Sequence, residues 1–312
     1  MRFNAVPAAL LAALLAGAGC PKQAPRAGSG SSGLPGGGQI KTVFLILMEN
    51  ENWPDIDGNP DAPYLNGKLL PQASYATQYF NPPGIHPSLP NYLWLEAGDW
   101  FGKGLDDSDP SRGGDELPTR AHLATLLTAS GRSWKEYAES IDGHGCPLAS
   151  NGPYAAKHNP FVYFDDLTGN LDPHDPTCLA HNRPYPELAS DLASGTVASY
   201  NFITPNQCND MHSCPIAAGD RWLSHQIPVI MASRAYQTGG AILITWDEGE
   251  NNRDGPIGLI VISPFGKGGG YHNAIHYDHS STVKTVEEIF SLKPLVGHAA
   301  DPGTNDLGDL FR

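Results

Sequence analysis

Four short segments concentrate the polar chemistry of the chain: Met48-Glu49-Asn50, His86-Pro87-Ser88-Leu89-Pro90-Asn91-Tyr92, Thr245-Trp246-Asp247-Glu248-Gly249-Glu250 and Tyr277-Asp278-His279-Ser280-Ser281. Each flanks a predicted strand or opens a predicted helix. One strand running into Glu49-Asn50 and another running into Asp247-Glu248 would bring oxygen ligands to one sheet edge, which is what a hard divalent cation takes. Ser88 opens a predicted helix, where free backbone N–H groups and the positive end of the dipole suit an anionic phosphoryl group. Asn91, one turn on, can donate its amide to a phosphoryl oxygen. Each segment also has a plainer reading: Ser88 as a helix N-cap, Glu49-Asn50 as a strand terminator, Asp247-Glu248-Gly249 as an acidic turn.

These residues need a scaffold, and the chain alternates strand and helix signals. Thr42 to Met48 is a continuous apolar run of strand length, and Ala198 to Ile203, Ala241 to Trp246 and Leu259 to Ser263 read as further buried strands. Helices are expected over Ser88 to Ala97 with Ser88 as cap, Arg120 to Ser130, Ala217 to Tyr236 with a break near Pro228, and Ser280 to Leu292. The alternation predicts an α/β fold with a mostly parallel central sheet and helices on both faces. Asp99 to Pro118 and Gly143 to Pro186 look like insertions. The glycine run Gly266-Lys267-Gly268-Gly269-Gly270 lacks P-loop spacing and reads as a turn.

Taken in order, MEN at Met48, HPSLPNY at His86, KHNPF at Lys157, NFITPNQCNDMH at Asn201, TWDEGE at Thr245, ISPF at Ile262 and YDHSSTVKTVEEIF at Tyr277 resemble a known family. It is the bacterial and fungal phosphoesterase family of acid phosphatases and phospholipases C, within the alkaline-phosphatase-like superfamily. The resemblance runs from residue 40 to 292, and the size is that of the compact secreted acid phosphatases. It implies Ser88 as nucleophile and Glu49, Asn50, Ser88, Asp247 and Glu248 as ligands of one divalent ion. Oxygen ligands favour Ca, Mg or Mn, with Zn as the alternative. Many superfamily members carry Asp-His where this chain has Asp247-Glu248, which favours a single oxygen-ligated ion. Asn91, Lys157, His158 and, more weakly, His86 fall at substrate-binding positions. His212 and His279 are implied as proton donors, and Asp210, His212 and His279 as contacts of a second metal or the phosphate.

Composition narrows the classes. The 312 residues carry 19 Lys plus Arg against 33 Asp plus Glu, a net charge of −14 that disfavours nucleic acid and anionic lipid as partners. Gly 35 and Pro 28 imply long shaped loops. Arg2 and the Ala/Leu run to Ala18 read as a signal peptide over 1–19, and Cys20 sits in a lipobox-like setting although Gly17 departs from the usual Leu. Residues 20–39 form a Pro/Gly/Ser tether and 40–312 the folded domain. The four remaining cysteines suit two disulfides in an oxidising compartment; of three connectivities, Cys208 with Cys214 and Cys146 with Cys178 is preferred. The expectation is an exported cell-envelope lipoprotein, or a secreted protein if the lipobox is not used, that hydrolyses a phosphorylated small molecule or phosphoinositide. A phospholipase C-type phosphodiesterase is the alternative, and a non-catalytic metal- or phosphate-binding lipoprotein is a third reading from another class.

Overall fold

Seven consecutive apolar residues make β1, Thr42–Met48, and all seven are buried, as a strand covered on both faces requires. The computed structural model describes Leu34 and residues 37–312. The expected signal segment, Cys20 and nearly all of the tether therefore lie outside the described residues.

The strands that follow are β2 (Ser74–Ala76), β3 (Tyr79–Phe80), β4 (Trp134–Ala138), β5 (Asn182–Pro184), β6 (Tyr200–Thr204), β7 (Gly240–Trp246), β8 (Leu259–Ile262), β9 (Tyr271–Asn273) and β10 (Tyr277–Asp278). Eight of them form one sheet in the order β5-β4-β6-β1-β7-β8-β2-β9, while β3 and β10 pair separately. From β5 to β7 every pairing is parallel; β8 runs antiparallel to both β7 and β2. The helices are α1 (Trp53–Ile56), α2 (Ser88–Ala97), α3 (Leu123–Ala129), α4 (Asp165–Thr168), α5 (Pro176–His181), α6 (Glu187–Ser194), α7 (Ile216–Ala232), α8 (Arg234–Gln237) and α9 (His279–Phe290). This is the mostly parallel α/β sheet covered by helices that the alternation predicts. Among the described residues no helix is long and apolar enough to cross a membrane.

Several local expectations are corrected. Pro87, in extended conformation, is the N-cap of α2, and Ser88 is its first helical residue. α3 starts at Leu123, because His122 before it is extended. α7 runs through Pro228 and stops at Ser233, whose side chain caps α8 by accepting the N–H of Tyr236. α9 starts one residue early because Asp278 and Ser281 form a reciprocal capping box. Strand β4 has no counterpart in the sequence reading: Glu136 interrupts its apolar pattern, yet that side chain is fully buried. Disulfides join Cys146 to Cys178 and Cys208 to Cys214, the preferred connectivity.

Candidate active site

Parallel pairing of β1 with β7 sets Met48 opposite Trp246, so the next residues, Glu49 and Asp247, leave the same sheet edge side by side. The N–H of Asp247 donates to the Met48 carbonyl at 3.0 Å. Asn50 turns the chain away in the left-handed region, φ 48°, which its short polar side chain tolerates, and its N–H donates to Asp247 Oδ1 at 3.1 Å. α2 brings Ser88 to this edge, where the hydroxyl, 1% exposed, donates to Glu49 Oε2 at 3.2 Å.

The other oxygen of Glu49 faces a second set of groups. Tyr92 Oη donates to Oε1 at 2.5 Å, and His158 Nε2 lies 3.4 Å from the same atom. The His158 ring stacks on Tyr92, centroids 5.0 Å apart and planes within 5°. Its Nδ1 lies 3.5 Å from Asp210 Oδ2, while Asp210 Oδ1 accepts the backbone N–H of His212 at 2.8 Å. Ligand atoms of Glu49, His158 and Asp210 all fall within 4.8 Å of one another, a carboxylate and histidine cluster that can hold a metal ion. On the Ser88 side, Glu248 Oε2 sits 2.5 Å from His86 Nδ1 and accepts from Asn91 Nδ2 at 3.2 Å.

Packing this many acids together out of water perturbs them all. Burial, with Asp247 and Asp210 nearby, pushes Glu49 well above the usual carboxylate range. Burial raises Asp247 to about 6 and Asp210 to about 7, and burial with the neighbouring Asp247 and Asp107 raises Glu248 to about 9. Asp247 Oδ2, Asp210 Oδ2 and His158 Nε2 are buried with no hydrogen-bond partner among the described residues. The Asn50 amide links two of these carboxylates. Its side-chain nitrogen donates to Asp247 Oδ1 at 2.9 Å and to Glu49 Oε2 at 2.8 Å. Unsatisfied buried carboxylate oxygens and raised carboxylates together fit a hard divalent cation.

The remaining sequence-derived candidates have other surroundings. His279 is fully buried behind Asp247: Nε2 lies 2.6 Å from the Asp247 carbonyl oxygen and Nδ1 3.1 Å from Tyr79 Oη. A carbonyl only accepts, so Nε2 carries the proton and Nδ1 accepts from Tyr79; neither nitrogen is left for a leaving group, and burial lowers the ring to about 4. Asp210 thus stands with His158 and, by accepting its backbone N–H, with His212, whereas the His279 ring is engaged by Asp247 and Tyr79. Asn91 gives its amide protons to the Ile85 and Pro87 carbonyls and to Glu248, so it braces the turn rather than facing outward. His86 bridges Glu248 and Asp254, Lys157 pairs with Asp107 at 2.6 Å, and His212 is exposed, its ring 5.8 Å from His158. The sequence reading missed two neighbours. Tyr92 follows Ser88 by four residues and so shares its helix face, a spacing that signals the contact. Asp107 lies in the loop between α2 and α3 and carries no such signal.

The family model described as Phosphoesterase family matches residues 68–293. The chain is 31% identical over 287 residues to a Mycobacterium tuberculosis phosphatidylinositol-3-phosphatase, covering 91% of this chain and 88% of that protein. It is 29% identical to a Kluyveromyces lactis probable acid phosphatase, covering 85% of this chain and 62% of the yeast protein. A Vibrio parahaemolyticus protein of the alkaline phosphatase superfamily shares the fold at TM-score 0.52 and 11% identity, over 83% of this chain and 68% of that one.

Proposed function

Because the chain belongs to the Phosphoesterase family and is a phosphoric ester hydrolase, we propose that it cleaves phosphoric monoesters in acid-phosphatase fashion through Ser88. The observation that carries this reading is the Ser88 hydroxyl, at a helix start, donating to the Glu49 carboxylate, which leaves the sheet edge beside Asp247. Glu49, Asn50, Ser88, Asp247 and Glu248 would hold a divalent ion, which when bound polarises a phosphoryl oxygen and eases loss of the Ser88 proton. Ser88 Oγ then bonds to phosphorus in line as the ester oxygen departs, leaving a phosphoserine that water hydrolyses to free phosphate. The departing oxygen needs a proton, and His212 is our choice of donor. Partial desolvation of its ring on the site side, with His158 and Lys157 nearby, holds it below the ordinary value, so it carries a proton chiefly in acid solution. His279, with both nitrogens engaged, acts as a positioning group for the Asp247 backbone.

The phosphate donor is proposed to be a phosphorylated small molecule or phosphoinositide, in line with the activities for which the relatives are named. Export through residues 1–19, anchoring at Cys20 and a catalytic domain over 40–312 belong to the same proposal, supported by the apolar run and the tether composition. The test is hydrolysis of p-nitrophenyl phosphate and bis-p-nitrophenyl phosphate with added divalent metal, by the wild type and Ser88→Ala. Faster monoester turnover that Ser88→Ala abolishes is expected. Faster diester turnover would make the phospholipase C reading primary, and activity surviving in Ser88→Ala would remove Ser88 as nucleophile.

A further inference from the structure

The loop joining α2 to α3 sends one carboxylate into the anion-accepting corner beside Ser88. Asp107 Oδ1 accepts the backbone N–H of Leu89 at 3.0 Å, and Oδ2 accepts from Lys157 Nζ at 2.6 Å. Both side chains are largely buried, 20% and 18% exposed. The start of α2 has few donors to share. Its cap, Pro87, contributes no side-chain hydrogen bond, and Pro90 has no N–H, so Ser88 and Leu89 carry the only N–H groups of its first three residues. Asp107 takes one of them, together with the nearby ammonium.

This placement is built. On one side, the N–H of Gly104 donates to Asp115 Oδ1 at 3.1 Å, and Gly104 lies so close on Leu89 that a Cβ would meet its Cγ at 2.6 Å. On the other, the Ser108 carbonyl accepts from Tyr163 Oη at 2.8 Å, and Asp109 accepts from both the N–H and the hydroxyl of Ser150. Asp107 itself sits in the left-handed region, φ 52°, which turns its side chain back toward α2. Against the penalty of burial, its charge holds the Lys157 ammonium above its ordinary value.

We propose that Asp107 is a specificity-determining residue: it restricts the phosphoryl group accepted at Ser88 to one negative charge, as in a diester or a monoester that keeps one proton. The inference rests on the Ser88 reading above. A phosphoryl group bound at Ser88 meets Glu49, Asp247 and Glu248, whose charge the cation shares, together with Lys157 and Asp107 at the helix start. Lys157 is already matched by Asp107, so a second charge on the phosphoryl group finds that ammonium engaged and the Asp107 carboxylate beside it.

Binding without turnover isolates this effect. Calorimetry at pH 8 in magnesium buffer compares Ser88→Ala with Ser88→Ala/Asp107→Asn, using inorganic phosphate as the dianion and dimethyl phosphate as the monoanion. Removing the Asp107 charge should tighten phosphate about tenfold and dimethyl phosphate less than about threefold, as expected for one nearby charge acting on two charges or one. Equal tightening of both anions, no tightening, or loss of phosphate binding overturns the proposal. If Asp107→Asn melts far below the parent, Asp107→Ser in the same background supplies the comparison. Failure of the Ser88 reading appears separately, as turnover by the Ser88→Ala parent.

Discussion

His279 Nε2 donates to the backbone carbonyl of Asp247 at 2.6 Å, so the first residue of α9 anchors the strand end from which two acidic side chains project. Replacing it should loosen the carboxylates rather than remove a proton donor. His279→Ala is expected to lower metal content and kcat together, each by about 10- to 100-fold, the range for partners that orient metal ligands. The pH profile of the residual activity should keep its wild-type shape, and a displaced basic limb would return His279 to the role of acid.

Metal binding should release protons and strengthen with pH. Asp247, Asp210 and Glu248 stand at about 6, 7 and 9, so at pH 7 the cluster free of metal retains protons that a cation must displace. Affinity for Mg or Mn is expected to rise between pH 6 and pH 9. Calorimetry in two buffers of different ionisation enthalpy reads the released protons, and a flat affinity profile contradicts the raised values.

Asp247 and Asp210 lie on opposite sides of Glu49, which lets mutation locate the ion. With one ion on the Ser88 side, Asp247→Ala should reduce bound metal by about 10-fold or more, whereas Asp210→Asn should keep the wild-type stoichiometry by elemental analysis. Loss of one equivalent in Asp210→Asn would reveal a second ion between Glu49, His158 and Asp210.

Tyr92→Phe deletes the 2.5 Å hydrogen bond to Glu49 Oε1 and leaves a fully buried carboxylate oxygen without that donor. A loss of about 1–3 kcal/mol in unfolding free energy is expected from urea titration of the protein free of metal. Added divalent metal should recover part of it, because Glu49 then finds a charge partner.

His122, away from the site, is buried between Glu96 and Asp166, with Nδ1 3.1 Å from Glu96 Oε1 and Nε2 3.0 Å from Asp166 Oδ1. Against the effect of burial, hydrogen bonds to these acids hold the ring above its ordinary value. A raised folded-state value means its stabilisation is complete below about pH 6.5, the unfolded value, and fades as pH rises through the folded one. The melting-temperature gap between the wild type and His122→Gln should therefore shrink from pH 6 toward pH 9. A gap that widens contradicts this sign.

Much of the fold was legible because its signals are local. The run Thr42–Met48 announces a strand buried on both faces, and six-residue spacing between Cys208 and Cys214 announces a closed loop. β4 was not legible, since nothing near Glu136 in the chain tells that its carboxylate will be enclosed by the sheet and its covering helices. Helix ends were misplaced where the cap came from an unexpected residue, as with Pro87 before Ser88 and Ser233 after α7.

At the site, the amino-acid types at Glu49, Asn50, Ser88, Asp247 and Glu248 determined which chemistry was available, because oxygen donors and a helix-start hydroxyl are properties of residues and their neighbours. Their convergence was decided by tertiary structure. Asn50 and Asp247 meet across 197 residues only because Met48 pairs with Trp246 in register. The same holds for direction: His279 turns back to a carbonyl, Asn91 spends its amide on the turn before α2, and Asp107 reaches the helix start from the loop between α2 and α3. Local periodicity specifies an element and the face a residue occupies. Which charged groups share one desolvated corner, and what each must then bond, depends on how distant elements pack.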